Sequence, residues 1–206
     1  MKLPRPLLVL LVLVTIMDLA GQDTDSTPAP DWMRNLTRRP PGPYSDLKPV
    51  SLSYNLSWKN TINAGKLTID VLPSENGDGF YVGSAEGKST GLARALWPYD
   101  FKAVSKVDRD TLRPVVFSLN EEERNARNSY RIEFDDDHMV SNTVQVVTDK
   151  ADRDPIAHTS NFQHDFVQDV LSSVFYMRSQ PLATGETISM IVTPFNRPYY
   201  ASAKVL

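Results

Sequence analysis

Hydrophobic and polar residues alternate along most of the chain from residue 50 onwards. The clearest case is VSLSYNLSW, residues 50–58, in which four large apolar residues alternate with serine and asparagine: Leu52, Tyr54, Leu56 and Trp58. Successive side chains of a β-strand point to opposite faces of a sheet, so this pattern predicts a strand with one apolar face. We expect that face to lie on the concave side of the sheet.

Eight further segments share this period of two: 65–71, 80–85, 100–107, 115–119, 130–134, 139–147, 186–192 and 199–205. Most are separated by short turn-rich stretches, which favours antiparallel pairing of neighbouring strands. A twisted sheet of about nine strands tends to curl or to close on itself. The predicted fold class is therefore mainly β, a strongly curved antiparallel sheet or barrel.

Two segments show helical spacing. Over residues 165–178 apolar residues recur at intervals of three and four, Asp165 is placed to cap the helix and Gln168 to reach back. We expect this helix to lie across an opening of the sheet. A shorter helix is predicted within residues 88–98, with three residues facing inward: Leu92, Ala95 and Leu96.

Two polar stretches show neither period. Residues 120–128 contain glutamate, arginine and asparagine, which predicts a solvated hairpin end. Residues 148–161 have no hydrophobic period and predict a loop. The chain ends within an alternating pattern, so we expect further strands to follow residue 206.

Residues 1–21 have the layout of a secretory signal peptide. Lys2 and Arg5 precede an apolar run that ends at Met17, and the small residues Ala20 and Gly21 follow. A spanning helix needs about 20 apolar residues, and this run is shorter. We therefore expect export and cleavage between residues 20 and 22, with an uncleaved anchor as the alternative. No transmembrane span is expected after cleavage.

Proline and polar residues dominate residues 22–49. This composition predicts a flexible linker, which leaves residues 50–206 as the β-rich domain. Within the linker, Trp32 and Met33 are expected to pack loosely on the domain or to form a short docking segment.

Composition narrows the classes of function. The chain has no cysteine, which excludes disulfides, thiol catalysis and cysteine-based zinc sites. Export without disulfides favours the periplasm or cell envelope of a bacterium. The formal net charge of −3 gives no electrostatic footprint for nucleic acid.

Polar residues form no recognisable catalytic or metal motif. His158 and His164, near Asp152, Asp154 and Asp165, match no named spacing, so a polar surface loop is favoured. Residues 135–138, Asp-Asp-Asp-His, lack the glycine and closing glutamate of a calcium loop and favour a turn. No G-x-S-x-G sequence is present. The sequence therefore indicates no catalytic residues, no metal site and no cofactor.

Aromatic residues supply the candidate ligand site. Aromatics at alternating strand positions normally form a core, but they line a pocket where the interior of a barrel is unfilled. Tyr54, Trp58 and Trp97 are the candidates on this basis. Arg178, near the end of the predicted helix, either complements the helix dipole or binds an acidic group of the ligand.

Three blocks of the sequence carry a family resemblance. They are YNLSWKNTINAGKLTIDV at 54–71, STGLARALWPYDFKAVSKVDRDTLRP at 89–114 and QDVLSSVFYMRSQPLATGETISM at 168–190. In this order they resemble the bacterial exported family catalogued as domain of unknown function 3108, over about residues 50–206. The resemblance implies an exported, envelope-associated β-rich domain, and it implies no activity, cofactor or catalytic residue.

Three hypotheses for function follow. The first is a non-enzymatic exported envelope protein that binds a lipid or other amphipathic small molecule, or an envelope protein. The second is a carboxylate-dependent hydrolase of envelope glycans or esters. The third is a structural or assembly module that docks through residues 22–49.

Overall fold

The structure is a computed structural model. It describes residues 31–58, 62–74, 77–135, 138–147 and 154–206, together with the backbone of residues 17 and 18. Apart from those two residues, the predicted signal peptide and its cleavage site lie outside the described residues, as do residues 22–30 of the predicted linker.

The strands are β1 (Met17–Asp18), β2 (Val50–Trp58), β3 (Ile62–Pro73), β4 (Phe80–Ser89), β5 (Tyr99–Asp108), β6 (Pro114–Glu123), β7 (Ala126–Phe134), β8 (His138–Val147), β9 (Ile156–Gln163), β10 (Val167–Asp169), β11 (Thr187–Thr193) and β12 (Tyr199–Lys204). The helices are α1 (Asp31–Arg34), α2 (Gly91–Leu96) and α3 (Val170–Ser179).

The larger sheet contains the eight strands β2 to β9 in chain order. Each strand pairs antiparallel with the next, as the alternating pattern predicts. Within the described residues β2 and β9 do not pair with each other, so this sheet is open. The prediction of a mainly antiparallel β fold is confirmed. The sheet is open and not a barrel, and it is not strongly curled, contrary to the expectation.

The smaller sheet has the strand order β1-β12-β11-β10. β11 and β12 form an antiparallel hairpin, whereas β10 and β11 run parallel. Parallel neighbours need a crossover connection, and α3 supplies it between β10 and β11.

The main core lies between the two sheets. Ala85, Ala103 and Leu119 form one row across β4, β5 and β6 on the face of the large sheet that we call the inner face. Val167 and Ile191 of the small sheet belong to the same buried cluster. Burial of such side chains supplies most of the free energy that holds the sheets together.

α3 also packs against the inner face, because one residue there has no side chain. A Cβ atom at Gly83 would lie 2.6 Å from Cζ of Phe175, so the phenyl ring rests directly on the backbone of β4. The next residue in the same row, on β5, is the small Ser105. This row of small residues is the seat of the helix.

The predicted start of the long helix is wrong. Helix α3 begins at Val170, and the residues just before it form the strand β10. Val167 fits the helical spacing of apolar residues, but it pairs with Ile191 of β11. Pairing with a distant strand overrides the local spacing here, and the capping residue is Asp169, not Asp165.

The predicted loop and hairpin end are also wrong in part. Residues 156–161, expected within a loop, belong to the strand β9, while residues 148–153 lie outside the described part of the chain. β9 is an edge strand exposed along almost its whole length, so it needs no apolar face that a sequence pattern would reveal. Residues 120–123 and 126–128 continue β6 and β7.

The structure differs from the expected linker over residues 31–49. Leu36 and Leu47 are buried against the domain. The backbone N–H of Thr37 donates to the carbonyl of Ser189, and the N–H of Ser189 donates to Oγ1 of Thr37. The hydroxyl of Tyr176 donates to the carbonyl of Arg39 at 2.8 Å. This segment therefore packs against α3 and β11.

Replacement of Gly83 by alanine should separate α3 from the large sheet. The new methyl group overlaps the Phe175 ring, and we expect the free energy of unfolding to fall by about 2 kcal/mol. The measurement is the midpoint of urea unfolding. Ser84→Ala, on the opposite face of the same strand, should change stability by less than about 0.5 kcal/mol.

The combination with Phe175→Leu tests the cause. The smaller side chain removes the overlap, so the double variant should lose less stability than the sum of the two single losses. Strict additivity would show that the ring and the glycine do not share a contact.

Candidate functional site

An apolar groove of about 600 Å³ opens between α3 and the small sheet. α3 contributes Val170, Val174 and Met177 to its lining. The β11–β12 hairpin contributes Ile188, Met190, Val192, Phe195, Tyr199, Ala201 and Ala203. Pro194, Ser173 and Ser202 complete the lining. The hydroxyl of Ser173 is bonded to the carbonyl of Val170 and that of Ser202 to Ser189, so the exposed lining is mainly apolar.

The sequence of β11 produces this lining. In TISMIVT, Ile191 belongs to the core between the sheets, so its neighbours Met190 and Val192 point to the other side. Across the hairpin they pair with Ala201 and Tyr199. The small Ala201 leaves room above the strand, and the face of β11 that carries Ile188, Met190 and Val192 is apolar throughout.

α3 carries apolar residues on two sides. Leu171 and Phe175 belong to buried clusters under the large sheet. Val170 and Val174 line the groove and are 40% and 37% exposed. The sequence prediction assigned all four residues to one core. The apolar stripe is wide for a helix with a single buried face, and this width was the sign in the sequence that α3 has a second apolar surface.

Arg178 lies near the C-terminal end of α3 and is not itself among the residues that line the groove. It follows Val174 by four residues, about one turn, so the two side chains are neighbours on the helix. Arg178 is exposed and forms no hydrogen bond or ion pair with any residue that the structure describes. Its guanidinium is therefore exposed and without a partner among the described residues, one helical turn from the groove residue Val174.

A carboxylate near this end of the groove is already paired. Glu186, just before β11, accepts a hydrogen bond from the guanidinium of Arg39 and another from the backbone N–H of Ala183. The bond from Arg39 is the main reason that the pKa of Glu186 lies below its ordinary value. Glu186 therefore does not compete for Arg178.

Asp169 fixes the start of α3 beneath the groove. Its Oδ1 accepts from the backbone N–H groups of Leu171 and Ser172, at 2.7 and 2.9 Å. The hydroxyl of Ser105 donates to Oδ2 at 2.5 Å, so the same carboxyl ties the helix to β5. Complete burial raises the pKa of Asp169 to about 6, although these hydrogen bonds oppose the shift.

The aromatic candidates from the sequence lie elsewhere. Tyr54, Trp58 and Trp97 are 42%, 67% and 62% exposed at one end of the large sheet. The ring of Trp97 lies 6.0 Å from that of Tyr99, centroid to centroid. None of the four candidate residues, Tyr54, Trp58, Trp97 and Arg178, is among the described residues that line the groove, although Arg178 lies one helical turn beyond the lining residue Val174.

α2 differs from its prediction at this end. Leu92 and Leu96 were expected to face inward, but they are 58% and 71% exposed, and Ala95 is exposed as well. No residue of α2 is buried. The apolar side of this short helix has no partner among the described residues.

Glu121 is the one buried glutamate of the predicted hairpin end. It lies on the inner face, where the hydroxyl of Tyr99 donates to its carboxylate. Burial, assisted by the negative charge of Glu121, raises the pKa of nearby Tyr130 to about 12. Glu123 shares this face, whereas Glu122 pairs with Arg127 on the other. Glu121 also lines an open cavity of about 850 Å³ with Glu86, Asp100 and Glu122, and each of these four carboxylates is already bonded to a neighbouring side chain.

The histidines do not form a site either. His158 lies exposed on the edge strand β9, whereas His164 is stacked on Phe162 and burial lowers its pKa. In the part of the chain that the structure describes, no three acidic or histidine side chains are grouped to bind a metal ion. No described helix has both the length and the apolar character to cross a membrane.

The comparisons with known proteins identify a family but no activity. The family model described as "Protein of unknown function (DUF3108)" matches residues 53–206. No curated protein and no solved structure matches the chain significantly.

Replacement of Asp169 by asparagine should remove a pH dependence of stability. The pKa of Asp169 rises from 3.8 unfolded to about 6 folded, so its ionisation costs stability as pH increases through this window. Relative to the parent, Asp169→Asn should therefore gain about 2 kcal/mol between pH 4 and 6.5. Chemical unfolding across this range measures the difference.

Asp169→Ala provides the control. It also lacks the ionisable group, but it removes the cap, so it should be less stable than Asp169→Asn by about 1 kcal/mol at every pH. A difference between the asparagine variant and the parent that does not change with pH would contradict the assignment.

Proposed function

We propose that this chain, which belongs to the DUF3108 family, is an exported envelope protein that binds an amphipathic molecule in the groove between α3 and the small sheet. The observation that carries the proposal is the groove itself, which is concave and almost wholly apolar. Its volume of about 600 Å³ is in the ordinary range of small-molecule sites. The ligand has one apolar chain and one anionic head group.

The apolar chain lies along α3 and β11. Contact with Val174, Met190 and Ala201 removes methylene groups from water, and each buried methylene contributes about 0.8 kcal/mol. The eight residues from Val170 to Met177 extend over about 12 Å, which suits a linear chain better than a bulky ring system.

The anionic head lies at Arg178. A guanidinium group presents several N–H donors in a planar fork that matches carboxylate and phosphate oxygens. Because Arg178 stands at the helix end beside an apolar surface, it fixes the direction in which the ligand enters. The head group remains in contact with water, so the affinity arises mainly from burial of the ligand's apolar chain.

Export is the second part of the proposal. The support is the layout of residues 1–21 and the absence of cysteine. An exported protein with an open apolar groove is suited to hold or transfer a lipid-like molecule within the envelope.

A charged side chain in the groove should weaken binding of the ligand's apolar chain. We expect Val174→Asp to weaken binding of dodecanoate at least tenfold, because the ligand would bury an unpaired carboxylate. Titration calorimetry measures the affinity. Val104→Asp, at an equally exposed valine of β5, should bind like the parent. Equal affinities of all three proteins would exclude the groove as the site.

Arg178 should favour a ligand with a carboxylate head group over one with an uncharged hydroxyl. Arg178→Ala should weaken dodecanoate about fivefold, as expected for an exposed ion pair, and should leave dodecanol unaffected. Lys204→Ala, at another exposed cation near the end of β12, is the matched control. Equal losses for the acid and the alcohol would show that Arg178 acts through packing.

A further inference from the structure

A second apolar surface lies at the end of the large sheet where α2 is found. Leu92 and Leu96 are four residues apart and therefore share one side of α2, and Trp97 follows directly. All three are more than half exposed. Arg94 makes two hydrogen bonds to the carboxylate of Asp100, which anchors α2 to β5.

The adjoining ends of β2 and β3 extend this surface. Trp58 is 67% exposed, and Leu56 and Ile62 are exposed beside it. The backbone N–H of Thr90, at the start of α2, donates to the carbonyl of Ala64 on β3. The apolar residues of α2 and of the β2–β3 end therefore gather at one end of the sheet, which we call the apolar end. Exposed apolar surface of this kind generally marks an interaction site.

Two lysines flank the apolar end. Lys66 and Lys88 face each other across β3 and β4, and neither forms an ion pair with the described residues. Lys88 is also opposite Asp100, whose pKa is lowered mainly by Arg94 and in part by the charge of Lys88. The nearby carboxylates are held by other cations: Asp100 by Arg94, Glu86 by Lys102 and Glu122 by Arg127. Two adjacent lysines repel each other, so an anionic surface in front of them stabilises the arrangement.

We propose that the apolar end docks on the surface of a lipid bilayer, with Trp58, Leu92, Leu96 and Trp97 in the interface and Lys66 and Lys88 facing anionic head groups. Tryptophan favours this interface, because its ring is apolar and its N–H still reaches water. Exposed leucine and tryptophan beside lysine form the usual composition of a peripheral membrane contact. This inference does not depend on the groove, and failure of either proposal leaves the other standing.

Tryptophan fluorescence tests the docking directly. The chain has three tryptophans, and Trp32→Phe leaves only Trp58 and Trp97, both at the apolar end. The probe is vesicles of phosphatidylcholine and phosphatidylglycerol with brominated acyl chains. We expect the bromine atoms to quench the fluorescence of this variant as vesicles are added. Because quenching reports these two rings, attachment through the N-terminus does not imitate the result.

Two sets of variants in the same background separate the contributions. Leu92→Ser and Leu96→Ser should each lower partitioning into the vesicles about tenfold, whereas Leu72→Ser, at an exposed leucine near the other end of β3, should not. Lys66→Gln and Lys88→Gln should each lower partitioning about fivefold into vesicles that contain phosphatidylglycerol, and should not change partitioning into vesicles of phosphatidylcholine alone.

Three outcomes would overturn the proposal. The first is the absence of quenching with either lipid. The second is quenching that Leu92→Ser and Leu96→Ser leave unchanged. The third is a dimer in sedimentation equilibrium that these substitutions dissociate while the parent is not quenched, which would assign the apolar end to a second copy of the chain.

Discussion

Phe175 of α3 rests on the backbone of Gly83, and most of the arrangement described above depends on that contact. It brings the helix within reach of β5, where the hydroxyl of Ser105 donates to the carboxylate that caps the helix. With one side of α3 held by the large sheet, Val170 and Val174 are turned towards the hairpin of β11 and β12. The groove therefore follows from how the helix is seated.

The buried carboxylate of Asp169 joins three elements at this seat. It lies at the end of β10, caps α3 and accepts a hydrogen bond from β5. A buried charge is costly, and its pKa near 6 expresses that cost, whereas the three hydrogen bonds offset part of it. The carboxyl group fixes the residue at which α3 begins, and this sets the position of the helix that forms one wall of the groove.

The alternating pattern predicted nine strands, and each is present, because a sheet buried on one face imposes the period of two on the sequence. β9 was missed because an exposed edge strand needs no apolar face. The start of α3 was misplaced because Val167 pairs with β11, a partner that local spacing does not contain. In α2 the leucines were assigned to a core, although the helix buries no residue.

The sequence by itself determined the mainly antiparallel β class, the family resemblance that the family match confirms over residues 53–206, and Arg178 as a candidate. Periodicity carries this information because local chain geometry sets which side chains share a face. Only the tertiary structure showed that an apolar groove opens beside α3 and that Tyr54, Trp58 and Trp97 do not line it. Periodicity predicts that one face of a strand or helix is apolar. Whether another element covers that face depends on packing between residues that are far apart in the chain.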